Sequence, residues 1–268
     1  MTSKEAEALG KTTRPRTGSR HPLQRIGLPL VGVVLLIATW EVTVWLNDLD
    51  SIVMPRPMEV LRALGDLVVS GEFWDDVVVS LTEFGSGYVI GVFAGVVVGV
   101  LMAEFSVFRA TVHPVVEALR FIVPFAWIPL VILWFGTSLL GKTLLVAYAT
   151  FFVMVVSAAK AMQQVDPTLT KVGRMLGMSR WRLAFAVQLR AAAPTIASSA
   201  RAAAAIAWIA VVAAEYVGAS AGLGVLIINA STSLQTDVVI AGMVVIGLVG
   251  AGVSAVIGWL SRSYLSYV

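Results

Sequence analysis

"GTSLLGKT", residues 136–143, decides how this chain is to be read. As a pattern it is Gly136, four residues, Gly141, Lys142 and Thr143, the spacing of the loop that cradles nucleotide phosphates in an α/β domain. Such a loop needs a strand before it and a helix after it. Here it joins two apolar runs, about 107–135 and 139–162, each long enough to cross a bilayer. No apolar run ending in Asp follows to hold magnesium. The match is therefore accidental. The stretch reads as a tight turn between membrane helices, with Lys142 expected at the lipid headgroups.

Composition agrees. Of 268 residues, 58% are hydrophobic and only 13% charged, and the mean hydropathy is +0.89. A soluble domain carries about a quarter of its residues as charges. There is no cysteine, which excludes disulfides, thiol catalysis and thiolate metal sites, and only His21 and His113 offer imidazole. Neither a resident metal nor a catalytic set is expected.

The fold class expected is all-α membrane protein with six transmembrane helices: about 26–46, 78–103, 107–135, 139–162, 191–217 and 237–261. The first is long enough for a retained span, with no small-residue cleavage site behind it. Pro114, Pro124 and Pro129 should kink or break the third. Residues 54–71 carry a short amphipathic helical pattern after two prolines. Lys and Arg crowd the tail, 1–25, and the segment 160–190, but are absent from 218–236. This asymmetry predicts both termini and the 160–190 loop in the cytoplasm. The expected organisation is a basic tail, 1–25, then a membrane domain, 26–262, with a cytoplasmic elbow at about 164–190.

Two packing signals stand out. Gly87, Gly91, Gly95 and Gly99 recur every four residues, so they share one helix face and admit a close neighbour. Helix packing within the chain is favoured over a subunit interface. Gly242, Gly247, Gly250, Gly252 and Gly258 repeat the theme less regularly. In "DPTLTKVGRMLGMSRWRLAFAVQLRAAAPTI", 166–196, Asp166-Pro167 starts a helix over Thr168–Leu176, Gly177 ends it, and Ser179 caps a second. The product is a helix–Gly–helix elbow with a basic face. Such an elbow fits either a partner's cleft or an anionic lipid surface.

This elbow resembles the cytoplasmic "EAA" loop of binding-protein-dependent ABC importer permeases, whose pattern is Glu-Ala-Ala, three residues, Gly, nine residues, Ile-x-Leu-Pro. Gly177 falls on the family glycine, and Val187 and Leu189 fall on the apolar pair. "LGMSRW" is similar to the version in permeases for nitrate, sulfonates, taurine and related compounds. "MPRPMEVL" (54–61), "FAWIPLVILWFG" (125–136), "DPTL" (166–169) and "AEYVGASAGLGVLI" (214–227) extend the resemblance over about residues 50–262. Two positions depart from it: Lys171-Val172-Gly173 replaces Glu-Ala-Ala, and Arg190 replaces Pro.

The resemblance implies a type I ABC importer permease fold in a bacterial inner membrane. It implies that two permease copies form the pathway, that an external binding protein delivers solute, and that a dimeric ATPase subunit grips the elbows. ATP and magnesium would bind that partner, so this chain would carry no cofactor and no enzyme activity of its own. No nucleic-acid partner is implied. The coupling residues would be Lys171, Arg174, Met175, Leu176, Gly177, Ser179 and Arg180. Because Lys171 reverses the usual charge, the ATPase would need a compensating acid, or Arg174, Met175, Leu176 and Arg180 would carry the contact.

Arg120, Arg201 and Glu215 fall inside expected spans, where charges are costly and usually face a cavity or a partner. Arg120 and Arg201 each lie about ten residues, or roughly 15 Å, from the cytoplasmic end of their spans. At equal depth, guanidinium groups suit a sulfonate, nitrate or carboxylate. For Arg120 the alternative is neutralisation by Glu117, one turn away. Glu215 precedes the glycine-rich "GASAGLG", which reads as a re-entrant gate or an interfacial turn. Trp127 and Trp208 either line the pathway or pack. The competing classes are a stand-alone secondary transporter or channel, which would leave the elbow unused, and a membrane enzyme, for which the residues offer no catalytic set.

Overall fold

The computed structural model describes residues 22–265; the expected basic tail lies mostly outside them. α1 (Pro22–Leu46) covers 25 residues where the first span is expected. It belongs to a unit ending at Leu49; a larger unit begins at Asp50. Among the described residues there is no β-strand.

α2 (Pro57–Val69) starts with proline at its first position, and the Glu59 carboxylate accepts from the Arg56 N–H at 2.9 Å to close its N-terminus. α3 (Gly71–Glu104) has 34 residues and begins two turns before the expected span. The third span is broken. α4 (Ser106–Leu119) and the segment Pro124–Phe135 meet at 85°. Pro114 is tolerated inside α4; the break falls before Pro124, where Val123 is pushed into extended backbone. The phenol of Tyr148 donates to the freed carbonyls of Leu119 (2.7 Å) and Ile122 (3.3 Å). A 3₁₀ turn (Pro124–Trp127) then leads into α5 (Ile128–Phe135).

α6 (Leu139–Gln163) follows the turn at Gly136, φ +64°, with Ser138 Oγ capping at Gly141 N, 3.5 Å. Beyond it come α7 (Pro167–Met175), α8 (Arg180–Leu183), a π-helical turn (Ala184–Gln188), α9 (Leu189–Tyr216), α10 (Leu223–Thr232) and α11 (Thr236–Leu265). Four helical stretches among the described residues are long and apolar enough to cross a membrane, and the bent pair makes five.

The four glycines of α3 resolve as packing within the chain. A Cβ at Gly87, Gly91, Gly95 or Gly99 would collide with α6 at Val146, Thr150, Met154 and Ala158 and with the carbonyls one turn away. Glycine here lets two backbones touch. On the other side of α3 and α6, α9 closes the core with Ala203, Ala204, Ala207, Trp208 and Val211.

Candidate functional site

Two polar assemblies occupy opposite ends of the α3–α6–α9 frame. The first surrounds the start of α10. Asp76, Ser80 and Glu83 lie four and three residues apart, so they share one face of α3. Asp76 Oδ1 accepts from Gly222 N at 2.7 Å, and Ser80 Oγ accepts from Leu223 N at 3.0 Å. Glu215 Oε2, from α9, accepts from Gly224 N at 2.8 Å. Three successive amides, of the N-cap Gly222 and the first two residues of α10, are thereby satisfied. Ser80 also donates to Glu215 Oε1 at 2.5 Å. Gly222, at φ +123°, lies against the Glu215 carboxylate, and a side chain there would displace it.

Glu83 continues the network. It is paired with Lys142 of α6, and both side chains are withdrawn from solvent. Lys142 therefore does not reach for lipid headgroups, as the sequence suggests; a buried carboxylate holds it inside the bundle. Glu215 is fully buried. It caps the start of the short helix α10 from within the core. Its partners Asp76, Ser80, Glu83 and Lys142 escape a reading that follows only the loop motif. Their signal is a polar stripe along one face of an otherwise apolar helix.

The remaining intramembrane residues divide. Arg120 bonds Glu117 at 3.1 Å and lies over the Phe121 ring at 5.0 Å. It opens onto a cavity of about 410 Å³ lined also by Tyr148, Phe152, Ser157 and Ile206. Arg201 is exposed on α9, reaches Ser254 Oγ at 3.4 Å and rests against Gly258. Among the described residues it has no acidic partner. Trp208 is buried in the core and donates to the Ile246 carbonyl at 3.1 Å. Trp127 packs with Ile128, Leu145 and Ala214 and meets Tyr148 at 5.5 Å. Both tryptophans are packing residues first; Trp208 shows one edge to an apolar cavity of about 590 Å³ bounded by Phe125, Ile209 and Tyr216.

The second assembly is the elbow, and it folds as its sequence predicts. Asp166 Oδ1 accepts from Thr168 N at 2.8 Å, which holds that carboxyl below its ordinary range. α7 ends at Gly177, φ +72°, with Met178 N donating to Gly173 O (3.1 Å) and Gly177 N to Arg174 O (3.0 Å). That pair of bonds is a Schellman turn. Ser179 Oγ accepts from Arg182 N at 3.4 Å to start α8. Leu183 lies over Gly173, leaving no room for a Cβ, and Gln188 Nε2 donates to Thr170 Oγ1 at 3.2 Å. The turn presents Met175 and Leu176, 86% and 76% exposed, with Lys171, Arg174 and Ser179 exposed beside them. Arg180 differs: it bonds Glu104 at 3.4 Å and lies over the Phe105 ring at 4.5 Å.

An all-helical bundle with four or five membrane-length apolar stretches, a broken span and a capped basic elbow has the makeup of an integral membrane protein. The family of binding-protein-dependent transport system inner membrane components matches residues 89–265, and the chain belongs to it. Among its relatives, the taurine transport system permease protein TauC of Escherichia coli (strain K12) is 30% identical over 238 residues, 86% of each chain. A Bacillus subtilis (strain 168) permease provisionally named for aliphatic sulfonates transport, SsuC, is 29% identical over 100% of this chain and 98% of its own. The fold matches a chain of the inward-facing MetNI methionine ABC transporter with a TM-score of 0.57 at 18% identity, over 78% of this chain and 97% of that one. It matches a chain of a bacterial alginate ABC transporter at 0.60 and 15%, over 89% and 94%. The architecture is that of type I ABC importer permeases.

Proposed function

We propose that this chain is the pathway-forming permease of an ATP-driven importer for a small organic or inorganic anion of the sulfonate, taurine, nitrate or carboxylate class. Two copies line the pathway. An external binding protein delivers the solute, and a separate ATPase dimer, which holds ATP and magnesium, grips the elbows from the cytoplasm. Both termini lie on that side of a bacterial inner membrane.

The elbow carries this reading. A Schellman turn ordering two exposed apolar side chains between basic neighbours is built to enter a cleft, because nothing among the described residues covers them. Lys171, Arg174, Met175, Leu176, Gly177 and Ser179 form the docking tip. The basic rim calls for acidic groups around the ATPase cleft. Membership of the family and the names of the sulfonate and taurine relatives support the substrate class. Arg201 is the better candidate for anion recognition, since its guanidinium has no acidic neighbour among the described residues, whereas Arg120 shares its charge with Glu117.

Mass spectrometry of the tagged chain in gently solubilised native membranes tests the reading. A stoichiometric ATPase, lost when Arg174 and Gly177 are replaced, is the expected result. A chain that purifies alone and moves solute without ATP would refute it.

A further inference from the structure

Three contacts tie the elbow to the corner between α3 and α4, and none of them belongs to the docking tip. Arg180 Nε meets Glu104 Oε2 at 3.4 Å. The same guanidinium lies over the Phe105 ring at 4.5 Å. Phe105 meets Trp181 at 5.3 Å, and Trp181 stacks on Phe185 at 5.9 Å. Glu104 is the last residue of α3, where the helix dipole disfavours a carboxylate. Its side chain is only 14% exposed, so an unpaired charge there is costly and the Arg180 bond offsets that cost. Elsewhere the elbow stands off the corner. A cavity of about 560 Å³, lined by Ala103, Glu104, Arg174, Arg180 and Gln188, separates them. The grip therefore rests on a few side chains.

The covalent link to α9 is of another kind. It runs through the π-helical turn Ala184–Gln188, and Pro194 interrupts the hydrogen-bond ladder of α9 further on. Irregularities of this kind are where helices bend. Inside the elbow, by contrast, the Schellman turn and Leu183 over Gly173 hold α7 and α8 together.

We infer that Glu104 and Phe105 are positioning residues of the coupling device: through Arg180 and Trp181 they make the elbow and the α3–α4 corner one rigid body, and the π-turn is the hinge against α9. Motion imposed on the elbow then reaches the pathway by way of α3 and the broken span, with α9 yielding. This rests on the elbow being the ATPase-driven lever.

The cysteine-free chain allows spin-label pairs to be introduced cleanly at exposed positions: Thr168→Cys with Arg109→Cys, and Thr168→Cys with Ser198→Cys. Distances are measured in the complete complex with its ATPase, labelled chains diluted with unlabelled ones, without nucleotide and after trapping with ATP and vanadate. The expected result is a 168–109 distance constant while 168–198 shifts by more than about 2 Å, the scale of helix displacements in switching transitions. Glu104→Gln should make the 168–109 distance change as well, and should lower the uptake of taurine or hexanesulfonate per ATP hydrolysed by about 3- to 10-fold, a coupling loss typical of such networks. The exchange Glu104→Arg with Arg180→Glu should recover most of it, which a merely structural defect would not. Phe105→Leu, which keeps apolar volume, should show the same loss in weaker form. A wild-type 168–109 distance that changes as much as 168–198, or a Glu104→Gln complex with unaltered uptake per ATP, overturns the inference. If neither distance moves on trapping, the π-turn is no hinge and the inference falls, whereas ATPase copurification decides the importer reading on its own.

Discussion

The start of α10 and the tip of the elbow are both short polar assemblies at turns, and they treat their exposed chemistry in opposite ways. Around α10 the amides that start the helix and the Lys142 ammonium find their partners inside the chain. Asp76, Ser80 and Glu215 cap three successive amides, and Lys142 pairs with Glu83. At the elbow the backbone is as carefully terminated, by Asp166, Gly177 and Ser179, yet Met175 and Leu176 are left uncovered. A closed assembly serves stability. One that orders its backbone and leaves its side chains unpartnered serves a contact that lies outside the chain.

That contrast breaks if the two regions respond alike to substitution. The largest effect is expected at Lys142→Met, which strands a buried carboxylate. Loss of one partner of a buried pair costs about 3–5 kcal/mol, and thermal unfolding in detergent should show it as a large drop in Tm. Glu215→Ala should cost about 1–3 kcal/mol, by leaving the Gly224 amide and the Ser80 hydroxyl without their acceptor. Limited proteolysis near Gly222 should find the start of α10 loosened. At the elbow, Gly177→Ala meets no steric obstacle, only the penalty of φ +72°, so about 1 kcal/mol is expected. The smallest stability change, within about 0.5 kcal/mol, belongs to Met175→Ser with Leu176→Ser, because exposed side chains contribute little to folding. This last pair should nonetheless abolish ATPase copurification. If it unfolds the chain and leaves the partner bound, the distinction drawn here is wrong.

The elbow was legible in the sequence because all its instructions are local. A capping Asp, a left-handed glycine and a capping Ser fall within fourteen residues, 166–179, and each acts on its immediate neighbours. The apolar spans were legible for the same reason, hydropathy being a property of a run. The α10 network was not, because its bonds join residues far apart: Asp76 to Gly222 across 146 positions, Ser80 to Glu215 across 135. Only the packing of α3 against α6 and α9 brings them together, so Glu215 was read by its place in a loop motif and Lys142 by its place at a membrane edge. Arg120 lies between these cases. Glu117, three residues away, was visible as its neutraliser from helical spacing alone.

The seam between α3 and α6 has a consequence for how the bundle can move. Its notches on one side are Gly87, Gly91, Gly95 and Gly99, and its teeth on the other are Val146, Thr150, Met154 and Ala158. Both series advance by four residues, about 6 Å of helix. A rack of this pitch meshes only in register: a slide of half a step would drive each tooth into the bulkier wall beside its notch. The two helices can tilt together or stay put, and any alternation of the pathway has to carry them as a single plank.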